Sequence, residues 1–344
     1  MKNKNFLAVG LIIGSMLVSS FSFYFWQVVY TPNILIDKED LVFNIPAGAN
    51  FKYVQNSLYD LGIVNDLVSF SFLSKLKRYD KSIKPGSYLL QADMSNRDAI
   101  NMLRSGDQVP IKLTYSNARS LEDLAAKIAG YLAFDSAAMM SSLSNSEVAS
   151  SYGFTKETFM CMFLPNTYEV YITDQPVVIL DRIYSAYKIF WNPERMAKAK
   201  VLNLTPEEVI VLASIVDAET NQMDEAPTVA GVYINRLNKN IKLQADPTLI
   251  FALGDYTIKR VLYEHMQVNS PYNTYKYAGL PPGPINLPSI AAIEAVLNYE
   301  KSDYLYFCAN PNFTGNHIFA RTLSQHNKNA RLLHLALNKK KIYK

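Results

Sequence analysis

The sequence predicts an α+β protein: one apolar N-terminal helix, a small α+β unit and a larger mixed α+β domain. Three observations carry that expectation. Residues 5–36 contain no Asp, Glu, Lys or Arg. From Leu41 onward, short strand patterns closed by Pro/Gly turns alternate with helix patterns. Beyond Thr205, a strongly capped apolar helix leads into a long stretch dense in Pro, Gly, Asn and Tyr. The expected boundaries are 1–5 for a cytoplasmic tail, 6–30 for a transmembrane helix, 31–116 for the small unit and 117–344 for the larger domain.

Composition narrows the function classes. Apolar residues make up 49% of the chain, enough to fill a sizeable core and too many for a disordered chain. The formal charge is +4, from 34 basic and 30 acidic residues, and lacks the basic excess of a nucleic-acid binder. Two cysteines, Cys161 and Cys308, make neither a disulfide scaffold nor a thiolate zinc site. Four scattered histidines without an H-E-x-x-H pattern point away from a metal centre. No metal or cofactor is expected.

Phe6 to Tyr30 would reach ~37 Å as a helix, enough to cross a ~30 Å hydrocarbon core with some tilt. Phe21, Phe23, Tyr24, Phe25, Trp26 and Tyr30 gather at one end, and Lys2 and Lys4 sit at the other. Aromatics favour the membrane interface and basic residues stay inside, so the N-terminus is expected in the cytoplasm and everything beyond Tyr30 outside. A cleaved signal peptide is the rival, with small residues at Ser20 and Ser22. The aromatic belt continuing to Tyr30 favours an uncleaved anchor. No cysteine precedes Cys161, so a lipid-modified N-terminal cysteine is excluded.

In the small unit, 41–45 reads as a strand closed by Pro46-Ala47-Gly48. Phe51 to Leu61 reads as a helix ending at Gly62, and Val68 to Leu76 as a second helix with a basic end. Pro85-Gly86 turns into a strand over 87–90, and Ser95 caps a helix running to Gly106. Strand, helix, helix, strand is the order of small sugar-binding modules, and equally of a spacer. Further on, Leu121 to Leu132 reads as an amphipathic helix, Ser136 to Ser151 as a connection or short helices, and Val177 to Lys200 as one long helix. Lys339, Lys340, Lys341 and Lys344 read as a solvated tail.

The strongest local signal is Thr205-Pro206-Glu207-Glu208, a capping box with Pro at the first helical position. An apolar run over 209–216 comes next, then Asp217 and Glu219. Residues three, four and seven apart share a helix face. Glu219 therefore continues the stripe of Leu212, Ile215 and Val216, while Asp217 lies over Ala213 and Ser214. A carboxylate on an apolar stripe loses solvation, its pKa rises, and it suits general-acid work near neutral pH. Pattern alone favours the plainer reading, a solvated carboxylate at a fraying helix end. The chain beyond this helix tilts the balance: Gln244-Ala245-Asp246-Pro247-Thr248, Tyr272-Asn273-Thr274-Tyr275 and Gly279-Leu280-Pro281-Pro282-Gly283 combine groups suited to sugar hydroxyls with rigid turns. Asp246 before Pro247 reads as an extended turn initiator.

Taken together, these stretches resemble the endolytic murein transglycosylase family, also called MltG or YceG-like. The resemblance is carried by residues 212–220 (LASIVDAET), 229–237 (VAGVYINRL), 243–248 (LQADPT), 271–275 (PYNTY) and 279–285 (GLPPGPI), with Tyr304 to Phe307, His317 with Phe319, and His326-Asn327. It implies a single-pass anchor in the bacterial cytoplasmic membrane and a LysM-like subdomain over about 41–106. It further implies a catalytic domain on the cell-wall side that cleaves the MurNAc–GlcNAc β-1,4 bond within nascent glycan strands. The implied products carry 1,6-anhydroMurNAc ends, and strand elongation would be terminated.

The family's catalytic Glu falls on Glu219. On that basis Asn235, Gln244, Asp246, Thr248, Tyr272, Asn273, Thr274 and Tyr275 are the expected substrate-binding residues. His317 and His326 are either hydrogen-bonding supports or site residues. Implied partners are peptidoglycan strands, the membrane and peptidoglycan synthases (penicillin-binding proteins). Two alternatives stay open: a two-carboxylate hydrolase using Glu219 and Asp246, and a non-enzymatic tethered scaffold that binds peptidoglycan. The chain departs from the family at Asp217, where Glu is usual, and at Met160-Cys161, where an acidic-Gly pair is usual.

Overall fold

The computed structural model describes residues 2–36, 40–258 and 260–339; Lys340, Lys341 and Lys344 of the expected tail lie outside the described residues. The uncharged N-terminal run forms one unbroken helix, α1 (Lys2–Tyr30). Asn5 to Tyr30 is long and apolar enough to cross a membrane. Its apolar side chains are exposed along most of its length, but Val28 and Val29 in the last turn are buried. The Asn96 side chain donates to the Val28 carbonyl at 2.9 Å. The helix is thus tied at its end to a folded body.

The described chain divides into two compact units. The first comprises residues 1–112 with 131–134 and 169–174; the second comprises 113–130, 135–168 and 175–344.

In the first unit, β1 (Leu41–Ile45) pairs antiparallel with β2 (Gly86–Leu90), Leu41 opposite Leu90 and Ile45 opposite Gly86. Strand side chains alternate between faces, and β1 buries Phe43 and Ile45 while Val42 and Asn44 face out. Between the strands lie α2 (Phe51–Asp60) and α3 (Leu67–Leu76), and α4 (Asn96–Ser105) comes after β2. Each helix start carries the cap its sequence offers: Asn50, Asp66 and Ser95 accept from backbone N–H groups of the first turn. Gly106 ends α4 in the left-handed conformation, where a Cβ would be penalised. Phe70, Leu73, Tyr88 and Ile100 fill the core. A buried trio, in which Asn33 donates to Asn96 (2.6 Å) and Asn96 to Ser69 (3.0 Å), pins the segment leaving α1. The strand–helix–helix–strand order matches the expectation.

Strands β3 (Ile111–Tyr115) and β4 (Asn166–Val170) form a second two-stranded sheet. The Tyr115 and Tyr168 rings stack with centroids 5.5 Å apart. Between these strands run α5 (Leu121–Ala129), α6 (Ser136–Leu143) and α7 (Ser146–Ser151). The single helix expected over 177–200 is instead two, α8 (Pro176–Phe190) and α9 (Pro193–Val201). Pro193 has no N–H to continue the ladder, and the Asn192 side chain caps the new helix by accepting from Arg195 N–H.

The capping box of α10 (Pro206–Glu219) is complete: Glu208 N–H donates to Thr205 Oγ1, and Thr205 N–H to Glu208 Oε2. Every residue from Val209 to Val216 is buried, so α10 is enclosed on all sides rather than along one stripe. It packs against α11 (Ala226–Asn238), α12 (Asp246–Leu253) and α13 (Ile290–Leu297). Asp246-Pro247 does not form the expected extended turn. Asp246 opens α12, with Pro247 in its first turn, where the missing N–H is no loss. On α11, Gly231 faces the Glu300 carbonyl so closely that a Cβ would overlap it. The chain ends in the hairpin β5 (Tyr306–Ala309) and β6 (His317–Ala320), with Tyr306 opposite Ala320, and in α14 (Leu323–Lys339), which packs on both strands.

Candidate active site

Enclosure of α10 delivers its last residue, Glu219, to the wall of a cavity of about 340 Å³ in the second unit. Five pieces of chain build the rest of that wall. They are Tyr233 and Arg236 from α11, Leu243 with Gln244 and Asp246 at the start of α12, Tyr275, Tyr306 and Phe307 from β5, and Leu323 and His326 from α14. The chain leaves α10 at Thr220, whose hydroxyl donates to Glu225 Oε1 at 2.7 Å. Glu225 in turn accepts the His317 N–H at 2.8 Å, and its Oε1 lies 2.7 Å from His317 Nδ1. This clamp fixes the turn after Glu219 and joins it to β6. Burial raises the Glu225 pKa, but the hydrogen bonds from His317 and Thr220 outweigh it and hold the carboxyl below its usual range.

Tyr233 and Arg236 are three residues apart and share one face of α11. The buried Tyr233 hydroxyl donates to Glu219 Oε1 at 2.6 Å. The Arg236 guanidinium donates to the carbonyls of Leu305 (2.6 Å), Lys242 (3.0 Å) and Leu243 (2.8 Å), and lies over the Tyr306 ring at 5.0 Å. Neutral oxygens hold it in place, so its charge is left to act on the cavity. Gln244 adopts a left-handed backbone, φ 50°, a costly conformation for a residue with a Cβ. Its N–H donates to the Thr274 carbonyl at 3.1 Å. Tyr275 donates its hydroxyl to Asp246 Oδ1 at 2.5 Å.

Glu219 as a residue keeps some accessible surface, but its carboxyl is densely surrounded by protein. Burial raises its pKa from the ordinary 4.5 to about 7. The Tyr233 hydrogen bond opposes this, the negative charge of Asp246 adds to it, and the Arg236 cation opposes it. The expected apolar surroundings are therefore only part of the cause. A carboxyl with this pKa can give a proton and take one back at neutral pH.

The structure brings four of the sequence-expected residues to this cavity: Glu219, Gln244, Asp246 and Tyr275. It does not bring the others there. Asn235 turns its amide to the carbonyls of Ser302 (2.7 Å) and Tyr304 (2.9 Å). Thr248 and Thr274 are buried, 2.9 Å apart, and hold Ala245 between them: Thr248 Oγ1 donates to its carbonyl and Thr274 Oγ1 accepts its N–H. The fully buried Asn273 donates to Met266 and Val268 carbonyls and accepts from the N–H groups of Tyr275 and Lys276. Tyr272 packs against Phe251 with ring centroids 4.7 Å apart, and burial pushes its hydroxyl up to about 12. These residues shape the wall from behind.

Tyr233, Arg236, Leu243, Tyr306, Phe307 and Leu323 complete the cavity and were not expected as its binding residues; His326, weighed as a support or a site residue, also lines it. The spacing of Tyr233 and Arg236, three apart among the apolar Val232, Ile234 and Leu237, is the one local signal that would have found two of them. His326 stacks on Tyr306 at 5.4 Å; burial, then the Arg236 charge, lowers its pKa. Asp217 accepts from the Ser289 hydroxyl at 2.6 Å and so braces the start of α13. Met160 and Cys161 are buried in the core, and burial pushes the Cys161 thiol up. Among the described residues, no group of three His, Cys, Asp or Glu side chains is placed to hold a metal ion.

The chain as a whole is similar to known proteins. An endolytic murein transglycosylase of Streptococcus pneumoniae is 28% identical over 355 aligned residues, covering 93% of this chain. The chain spans 64% of that relative's length. An endolytic murein transglycosylase of Bacillus subtilis is also 28% identical, covering 92% of this chain and 90% of the relative. A crystal structure of a YceG-like protein from Listeria monocytogenes superposes with a TM-score of 0.59 at 29% identity. It covers 85% of this chain and 99% of that one. The YceG-like family matches residues 43–332, most of the chain, and the protein belongs to that family.

Proposed function

We propose that this protein is a membrane-anchored lytic transglycosylase that cleaves the MurNAc–GlcNAc β-1,4 bond within peptidoglycan strands. One observation carries the reading: a carboxyl held at a pKa of about 7, on a cavity wall it shares with a second carboxylate. Glu219 donates its proton to the bridging oxygen, and the C1–O4 bond breaks. Positive charge develops at the MurNAc anomeric carbon, where the charge of Asp246 stabilises it. Ionised Glu219 then takes the proton of the C6 hydroxyl as O6 bonds to C1. The proton has moved from O6 to O4, no water is consumed, and a 1,6-anhydro end remains. An intramolecular nucleophile gains from proximity and needs no activated water. Tyr233 donates to Oε1, which directs the transferable proton to Oε2.

The presence of Asp246 on the same wall supports a second reading, hydrolysis by two carboxylates. Mass analysis of products from purified glycan strands separates them. A reducing end one water lighter supports the transglycosylase; a hydrated end supports the hydrolase. A non-enzymatic scaffold predicts no change in strand length at all, and it has no use for a carboxyl tuned to neutrality.

Along the chain, residues 1–5 lie in the cytoplasm, 6–30 span the membrane, 31–116 form a LysM-like glycan-binding subdomain and 117–344 form the catalytic domain on the wall side. The strand–helix–helix–strand order supports the third assignment, and the apolar α1 supports the second. Peptidoglycan synthases are the proposed partners, since a cutter of nascent strands works where strands are made.

A further inference from the structure

The first unit carries a second concave feature. Helices α3 and α4 end side by side at a cavity of about 510 Å³. Four cations line it: Lys77, Arg78, Lys84 and Arg104. No acidic residue lines it among the described residues. The partners of these cations are neutral: Lys77 Nζ donates to the Asn101 side chain (2.6 Å), Lys84 Nζ to the Ser105 carbonyl (2.9 Å) and Arg104 to the Lys77 carbonyl (3.3 Å).

The plain reading is that these cations serve the helix ends. Each helix C-terminus carries roughly half a negative charge, so two account for about one of the four positive charges. About three are left over. Burial first, then the charges of Arg104 and Arg97, hold the Lys77 pKa below its usual value, with Asp98 opposing.

Two backbone features build the site. Arg78, the residue after the α3 cap, sits at φ 58°, the left-handed position that glycine normally fills. An arginine there accepts a backbone penalty, and strained residues of this kind gather at functional sites. Gly106, at φ 78°, leaves room for the Lys84 stem; a Cβ would come within 2.9 Å of Lys84 Cδ. Arg and Lys together suit a group with more than one negative charge and several acceptor oxygens. A single carboxylate would leave most of the positive charge unmatched.

We propose that this cavity is a binding site for a phosphate-bearing anion, such as a diphosphate or a phosphodiester. The proposal is independent of the chemistry at Glu219. The same oxygens occur on lipid headgroups and on soluble or polymer-borne phosphates. The full chain is placed in phosphatidylcholine nanodiscs and titrated with inorganic pyrophosphate by calorimetry. One saturable site is expected, weakened about tenfold in Arg78→Gly and in Lys84→Ala, the loss of one charge-assisted contact each. Arg78→Gly relieves the backbone, so its melting temperature should not fall. Adding phosphatidylglycerol to the nanodiscs distinguishes the sources. If it suppresses pyrophosphate binding, the headgroup occupies the site; if binding is unchanged, the ligand is soluble or polymer-borne. Absence of saturable binding, or equal affinity in wild type and both variants, overturns the proposal.

Discussion

At the scale of single residues, Glu219 sits between opposing influences, and each can be removed separately. Burial and Asp246 push its pKa up; Tyr233 and Arg236 push it down. If the protonated form starts the reaction, kcat/KM falls as pH rises through about 7. Tyr233→Phe deletes a contact that favours the anion, so that fall should move to higher pH. Asp246→Asn deletes a repelling charge, so it should move to lower pH. Shifts in the same direction would contradict the assignment. Stability gives a check that needs no substrate. The folded-state pKa of Glu219 is above its ordinary 4.5, so its favourable contribution is complete below 4.5 and lost as pH rises through about 7. Glu219→Gln should match wild type in melting experiments near pH 4 and exceed it at pH 8, by at most about 3 kcal/mol. A variant less stable than wild type at pH 8 would show that the ionised carboxyl is welcome there.

Residue types alone misled in one respect. Asn235, Thr248, Asn273 and Thr274 look like sugar ligands, yet they spend their hydrogen bonds on carbonyls and N–H groups of neighbouring loops. A polar side chain in a Pro/Gly-rich stretch serves either purpose, and only the fold decides. Periodicity put Glu219 on the face of Leu212, Ile215 and Val216 but left a solvated helix end as the plainer reading; the resemblance singled it out, and it lines the cavity. Tyr306 and Phe307 were not expected there, and His326 stayed undecided between support and site residue, since hairpin and helix packing bring them from far along the chain.

At the scale of elements, the cavity depends on how α10 and α11 are held. The start of α10 was readable from four residues, because a capping box is a local exchange between two side chains and two N–H groups. Thr205→Ala should cost about 1 kcal/mol in chemical denaturation. The break between α8 and α9 was also written locally, in Asn192-Pro193, but the surrounding periodicity concealed it. Gly231 is different: its importance comes from the Glu300 carbonyl, which packs against α11 from 69 positions further along the chain. Gly231→Ala should push α11 away, cost about 1–3 kcal/mol and displace Tyr233. Stability and activity should therefore fall together. Unchanged activity in that variant would mean that α11 does not position the site.

At the scale of the whole molecule, α1 joins a membrane-length apolar helix to a folded body through Val28 and Val29. Deleting residues 2–25 should leave that junction in place and release a protein soluble without detergent. It should still cleave purified strands, since the cavity lies wholly in the second unit. Loss of cleavage in this otherwise folded variant would give α1 a role beyond anchoring. The central claim concerns the chemistry of one carboxyl, and the most direct measurement is digestion of purified glycan strands by wild type and Glu219→Gln, read by mass. Wild type should release fragments ending in 1,6-anhydroMurNAc, and the folded Gln variant should release none. Anhydro ends from the Gln variant, or hydrated ends from wild type, would contradict the account.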